Sequence, residues 1–265
     1  MGPQVTPVLA FDLETIPNIA ALRAALELPD ELDQAAVAEA AFARRREATG
    51  SEFLPLHQHQ VLVIACVLRG ADGLHVWSLD ASRDGEGPVL QRFFDGIEKF
   101  TPQLVSWNGG GFDLPVLHYR ALVHGVRAAR YFDLGDNERE FRFNNYLNRY
   151  HTRHLDLMDF LSLYQARASA PLDEIARQCG LPGKLGMHGA RVWPTFVAGD
   201  TAAICRYCET DALNTYLVYL RFQLLRGALS ASELEAENRL VLATIRAINA
   251  PHWREFDHAW TGKPN

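Results

Sequence analysis

Cysteine is scarce in this chain. The four present, Cys66, Cys179, Cys205 and Cys208, are spaced neither for a disulfide framework nor for a four-ligand zinc site. No apolar run approaches the ~20 residues that a bilayer-spanning helix needs, and no basic stretch leads into an apolar signal core. The expectation is a soluble, cytoplasmic protein without a membrane partner. Positive charge is short as well: 26 Lys and Arg against 32 Asp and Glu leave a net charge of −6. That argues against a surface coating nucleic acid along its length, but leaves room for an acidic, metal-binding site where local arginines meet phosphates. The glycines at 109–111 lack both the Lys-Ser/Thr ending of a phosphate loop and the spacing of a dinucleotide-binding turn. What is abundant is apolar: 48% of 265 residues are hydrophobic, enough for one large domain with a sizeable core. The expected division is a main domain over 1–228, with a helical insertion at 19–57, and a C-terminal helix and tail at 229–265 packed on the same domain.

The stretch Val8-Leu9-Ala10-Phe11-Asp12-Leu13-Glu14-Thr15 interrupts an apolar run with two carboxylates two positions apart. On a strand, residues i and i+2 share a face, so Asp12 and Glu14 project together near its C-terminal end. Like charges so close resist ionising, and a hard divalent cation held by oxygen ligands relieves them. The blander alternative is a strand running into a solvated turn at Pro17-Asn18.

Residues 19–50 read as two helices broken at Pro29-Asp30 and stopped at Gly50; their basic end, Arg44-Arg45-Arg46, suits either phosphate contact or a solvated helix terminus. Val61 to Leu68 is the strongest strand, apolar on both faces, and Ala71-Asp72-Gly73 turns it into a hairpin with Leu74 to Leu79. A helix over 88–100 and a buried strand over 104–107 follow, giving a mixed α/β sheet. Asp113, after the Asn108-Gly109-Gly110-Gly111-Phe112 turn, is either an N-cap for the next helix or a carboxylate placed for a site. Residues 127–154 interleave arginines with aromatics, Arg142 and Tyr146 among them, in the manner of a single-strand stacking groove; the alternative is a polar loop with aromatic core anchors. Asp156 and Asp159 suit capping better than metal ligation, and a helix runs on from them. The glycine-rich loop at 182–189 offers Lys184 and His188 to a phosphate, or is simply a mobile connection. Thr201 to Arg226 reads as one long helix with Tyr207 and Asp211 one turn apart on the same face. Cys205 and Cys208 inside it read as packing residues. Ser230 to Ile248 is a second amphipathic helix, and 251–265 is a tail.

Asp12-x-Glu14, Asn108-x3-Phe112-Asp113 and Tyr207-x3-Asp211 occur in the order and spacing of the three exonuclease motifs of the DEDD superfamily of 3′–5′ exonucleases, which the chain resembles. The Tyr four residues before the last Asp resembles the tyrosine variant; the histidine variant needs His five before it, where this chain has Arg206. Phe-Asp-Leu-Glu-Thr-Ile-Pro, Trp-Asn-Gly-x2-Phe-Asp-Leu-Pro, His-x-Asp-Leu-Met-Asp and Tyr-Cys-Glu-Thr-Asp-x-Leu-Asn-Thr-Tyr are similar to bacterial stand-alone exonucleases related to the proofreading domain of family-B DNA polymerases. The likeness runs from about residue 8 to 226 and includes the helical insertion.

That resemblance implies a ribonuclease H-like fold, a five-stranded mixed sheet flanked by helices. It implies a phosphodiester hydrolase using two Mg²⁺ or Mn²⁺ ions to release nucleoside 5′-monophosphates from the 3′ ends of single-stranded DNA. By the same similarity Asp12 bridges both ions, Glu14 and Asp211 complete the first, Asp113 holds the second partly through water, and Tyr207 orients the attacking water. Thr15, Asn108, Phe112 and Lys184 are the implied substrate contacts, with Arg142 and Tyr146 from the arginine-aromatic region. RNA in place of DNA, and a non-catalytic nucleic-acid-binding module, are the alternatives. A polymerase or repair partner, for a proofreading role, is not legible in the chain.

Overall fold

The structure, a computed structural model, describes residues 6–262. Its first half runs β1 (Val8–Pro17), α1 (Ile19–Ala25), α2 (Gln34–Thr49), β2 (His59–Gly70), β3 (Gly73–Asp80), α3 (Ala81–Asp84), α4 (Glu86–Phe100), β4 (Gln103–Ser106) and α5 (Asp113–His124). The second half runs β5 (His154–Asp156), α6 (Leu157–Leu161), α7 (Leu172–Gln178), α8 (Val192–Val197), α9 (Thr201–Leu225), α10 (Ala231–Ile248) and α11 (Pro251–Thr261). The strands form one five-stranded sheet in the order β3-β2-β1-β4-β5. β1, β2 and β3 pair antiparallel, while β4 and β5 join parallel to β1.

Both faces of the sheet are covered, which is why β2 is apolar throughout. Ala10, Val63, Ala65 and Val67 face the core that α9, α10 and α11 close. Leu9, Phe11, Leu13 and Ile64 face the opposite core, with Phe93 and Phe94 of α4 and Leu114 and Leu117 of α5. Asp200 caps α9 by accepting from the Ala203 N–H, and Ser230 and Glu233 form a reciprocal capping box on α10. These caps fix where the two long C-terminal helices begin.

The insertion is built as expected, as a helical hairpin. Asn18 caps α1 by accepting from Ala21, and Asp33 caps α2 by accepting from Ala36. α2 stops at Gly50, whose φ of 76° is the left-handed conformation that glycine adopts without steric cost. The hairpin has a small core of its own, Leu22, Val37, Ala41 and Leu54, separate from the two sheet cores.

Three expectations change. Residues 251–261 of the expected tail are helical: Pro251 opens α11 and Trp253 and Phe256, three apart, are buried on one face. The rest of that tail, 263–265, and residues 1–5 of the expected main domain lie outside the described residues. Asp113 does not cap α5. It is already inside the first turn, after Phe112. The fifth strand is only three residues long, His154–Asp156, and it lies where the sequence pattern reads as the approach to a helix.

Candidate metal and nucleic-acid cleft

Asp12 and Glu14 share the sheet face of Val8 and Ala10, the face on which α9 lies. β1 continues to Pro17, so the two acids are not at its end as expected. They lie beyond the end of its parallel neighbour, because pairing with β4 stops at Ala10↔Val105. Small residues opposite and above, Ala65 and Ala212, are fully buried and let the long helix come close. Its Cys208 touches the backbone oxygen of Asp12 at 3.4 Å and its carboxylate at 3.5 Å. This approach places Asp211 with the strand carboxylates: one oxygen from each of Asp12, Glu14 and Asp211 lies within 4.8 Å of the others. Asp113, at the start of α5, is near enough for its charge to act on Asp12, but it is not one of these three converging acids and does not line the cleft; the backbone N–H of Leu13 and its own hold its carboxylate.

The electrostatics follow from this crowding. Burial, then the Asp211 and Asp113 charges, holds the Asp12 carboxyl well above the usual range; burial, then Asp12, does the same to Glu14. Burial pushes Asp113 up to about 7. Burial also raises Asp211, against the pull of Lys184, whose ammonium lies 3.0 Å from Asp211 Oδ2. The Lys184 ammonium donates to the Tyr207 hydroxyl at 2.5 Å as well. Burial lowers the lysine's affinity for its proton, but Asp211, Asp12 and Glu14 more than offset that, so it stays cationic. Tyr207 is pushed far up by burial and then by the three carboxylates, so it remains a phenol. One oxygen is left over. Asp211 Oδ1 is buried and meets no hydrogen-bond donor among the described residues. An unpaired buried carboxylate oxygen, in a set of three or four hard oxygen donors, fits a divalent cation such as Mg²⁺ or Mn²⁺.

The acids open into a cleft of about 720 Å³. Of the expected substrate contacts, Thr15, Phe112 and Lys184 line it. Asn108 does not. It sits in a left-handed turn (φ 66°), Asp156 accepts from its N–H, and it lines a separate hollow with Gly110 and Gly111. The glycine turn serves the protein's own packing: a Cβ on Gly109 would come 2.3 Å from Ser106 Oγ. Asp156 accepts from Gly110 as well and caps α6 through Asp159 N, the capping role expected of it.

The arginine-aromatic region is corrected. Tyr146 is only 2% exposed, stacks on Tyr131 and donates its hydroxyl to Pro102 O, so no base can reach its face. Arg142 is exposed but donates to Gly135 O and does not line the cleft. Composition could not separate the two alternatives, and the core-anchor alternative describes Tyr131, Phe141 and Tyr146. The 182–189 loop is likewise less mobile than a bare connection: Asn214 and Gly183 exchange backbone–side-chain bonds, and Lys184 N donates to Asp173. His188 is exposed and is not among the cleft-lining residues.

Sequence reasoning missed the opposite wall. Phe42 of α2, Phe53 and Leu54 of the following loop, His59 of β2 and Trp193 of α8 all line the cleft. His59 ties this wall to the acidic strand. Its Nδ1 meets Thr15 Oγ1 at 2.8 Å and its Nε2 meets Leu54 O at 3.1 Å. A carbonyl only accepts, so Nε2 carries the proton, Nδ1 accepts from Thr15, and the ring is neutral. Burial lowers its pKa in the same direction. Two of the Arg44–Arg46 run are spent locally: Arg45 donates to Phe53 O, and Arg46 pairs with Glu39 and Glu52.

Residues 51–260 match the family described as predicted 3′–5′ exonuclease related to the exonuclease domain of PolB. Asp113, Tyr207 and Asp211 fall inside that match, whereas Asp12 and Glu14 precede it. The catalytic polypeptide of DNA polymerase epsilon from Saccharomyces cerevisiae is 24% identical over 151 residues, 53% of this chain and 6% of that protein. The family B DNA polymerase of the hyperthermophilic archaeon Pyrobaculum calidifontis superposes with a TM-score of 0.52 at 18% identity, over 84% of this chain and 25% of that one. The chain thus spans a small part of each relative. The structural likeness shows the fold, and it is the ribonuclease H-like arrangement the motifs imply.

Proposed function

Because the chain belongs to the family of predicted 3′–5′ exonucleases related to the exonuclease domain of PolB, we propose that it removes nucleoside 5′-monophosphates from the 3′ ends of single-stranded DNA with two divalent ions. The observation that carries this reading is the convergence of Asp12, Glu14 and Asp211 around an unpaired carboxylate oxygen, at the floor of an open cleft. Asp12, Glu14 and Asp211 would hold one ion, and Asp113, beside Asp12, would share the second with it. Bound there, divalent ions supply Lewis acidity that activates water and neutralises charge on the phosphate.

The chain's own groups do the rest. Tyr207 keeps its proton, so it acts as a hydrogen-bond donor that orients a water and not as the base that deprotonates it. Lys184 brings a positive charge to the same point and is placed to hold a phosphate oxygen. Thr15 and Phe112 line the path of the 3′-terminal nucleotide. The domain is read as 1–228 with 229–265 packed on it, because α10 and α11 contribute Leu234, Val241, Trp253 and Phe256 to the core that α9 closes. No helix among the described residues is long and apolar enough to cross a membrane; a cytoplasmic enzyme working beside a polymerase or repair partner completes the proposal.

The test uses single-stranded DNA and RNA of one sequence, each labelled at its 5′ end, with Mg²⁺, Mn²⁺ or chelator. A metal-dependent ladder shortening from the 3′ end, absent with Asp12→Ala, is the expected result. Faster loss of RNA would replace the DNA assignment, and binding without cleavage of either polymer would replace the reading with that of a binding module.

A further inference from the structure

Resting on that reading, we infer that Asp156 is a positioning residue for the second ion: its carboxylate holds the glycine turn that delivers Asp113. β4 and β5 run parallel and end side by side, with Ser106 opposite Asp156. The chain leaves β4 into the turn, and Asp156, the last residue of β5, stands next to it. Asp156 Oδ1 accepts from the Asn108 N–H and Oδ2 from the Gly110 N–H, both at 2.9 Å. The turn's other backbone bonds stay within itself and the start of α5: Gly111 and Phe112 donate to Asn108 O, and Leu114 donates to Gly109 O. Among the described residues, the backbone of 108–112 thus reaches another element only through Asp156. Bonds to an ionised acceptor are roughly twice as strong as neutral ones, so two suffice to pin a short turn.

The turn needs such a holder. Asn108 is left-handed (φ 66°), which costs a residue other than glycine, and Gly109 is pressed against Ser106. Its last residue, Phe112, leads directly into Asp113. Of the four acids, Asp113 alone stands outside the converging three, which β1 and α9 carry. Its place is set by this turn and by the Leu13 N–H. A displaced turn would carry Asp113 with it, and Mg²⁺ demands oxygens at about 2.0–2.1 Å in near-ideal geometry. Capping alone does not explain the arrangement. Asp156 Oδ1 also accepts from Asp159 N at 3.2 Å, but a serine there would cap α6 as well. Only a carboxylate brings a second acceptor for Gly110.

Asp156→Ser separates the two roles, because it keeps the cap and gives up the turn. Mn²⁺ bound in the presence of thymidine 5′-monophosphate is counted by electron paramagnetic resonance, and turnover on single-stranded DNA is followed against Mg²⁺ concentration. Asp156→Ser should hold one Mn²⁺ as tightly as wild type and the other about tenfold more weakly. Its kcat should fall about thirtyfold and its half-saturating Mg²⁺ rise about tenfold, with KM for the strand within about threefold of wild type. In an Asp113→Asn background the same change should weaken ion binding no further. Gly110→Ala leaves the Asp156 charge in place but sets a Cβ 3.3 Å from its Oδ2. It should move the same quantities in the same direction by less, and it decides the matter should Asp156→Ser not fold. Two ions held as in wild type, with unchanged kcat, would overturn the inference and leave the exonuclease reading intact. Equal weakening of both ions would overturn it too, since that reports a lost charge and not a lost position. A protein that cleaves neither DNA nor RNA, yet loses one ion selectively on Asp156→Ser, would do the reverse.

Discussion

The acidic floor of the cleft stands on β1 and α9, both locked into the sheet cores, whereas the Phe42–Leu54 part of its aromatic wall stands on a hairpin and following loop that bury only Leu22, Val37, Ala41 and Leu54 in a core of their own. The floor is electrostatically costly: four carboxyl groups are held above their usual range chiefly by burial, and three of them, Asp12, Glu14 and Asp211, converge beside one ammonium. The wall is aromatic, with Glu39 and Glu52 beside the rings, and structurally light. One region trades stability for the capacity to bind ions, and the surrounding cores must carry that cost. The other can move, or be altered, with little consequence for the sheet.

The sharpest way to break this contrast is Asp12→Asn. Cleavage should fall by at least about a thousandfold, while the metal-free protein becomes more stable by on the order of 1 kcal/mol, because one repelling charge leaves the cluster. A lower melting temperature for the metal-free variant would mean the floor is not strained. Lys184→Ala should act on the floor in the opposite sense. It removes the cation that pairs with Asp211 at 3.0 Å, so the metal-free protein should melt at a lower temperature and turnover should drop by about ten- to a hundredfold. Unchanged turnover would assign the lysine to stability alone.

Leu22→Ala tests the wall. Its cavity should cost about 2–3 kcal/mol, confined to the hairpin, so that amides of α1 and α2 exchange faster while those of β1 and β2 stay protected. Uniform acceleration across the sheet would show that the hairpin and the sheet unfold together. The pH dependence sharpens the floor again. Asp113 has a folded pKa of about 7 against 3.8 for an ordinary carboxyl, so its folded state favours the protonated form. Its contribution is therefore fully present below pH 3.8 and is lost as pH rises toward 7. Bound cation compensates, so the rise in melting temperature on adding Mg²⁺ should be greater at pH 8 than at pH 5. An equal rise at both values would detach these carboxyls from the ion. The smallest effect belongs to Tyr146→Phe, which loses one hydrogen bond to Pro102 O, about 1 kcal/mol, with no change in KM.

The floor was legible in the sequence and the wall was not, for a physical reason. Acids two apart on a strand, or an acid one turn from a tyrosine on an apolar helix, break a local rule and therefore mark themselves. Phe53 breaks none: it is one of 14 phenylalanines, and its exposure is set by a loop that Arg45 and Arg46 anchor from another element. Tyr146 failed the opposite way. Interleaving with arginines describes a stacking groove and a core anchor equally well, and only the tertiary contact with Pro102 and Tyr131 separates them. The continuous apolar run of β2, the hairpin at 71–73 and the break between α1 and α2 followed from hydrophobic pattern and turn residues alone. β5 did not, since three residues carry no period. α11 escaped notice because Trp253, Phe256 and Trp260 are too few to outweigh a terminal position.

Synthesis gives the long separation between β1 and α9 a further meaning. Asp211 leaves the ribosome 199 residues after Asp12. At about 5–20 residues per second, some 10–40 s pass between them. During that interval Ala10, Val63 and Ala65, which α9 later covers, have no partner on that face. The nascent sheet must therefore wait half-clothed, with the two acids as the only charged residues between Val8 and Pro17. The same pair that makes the finished cleft costly also keeps that waiting surface from being uniformly sticky.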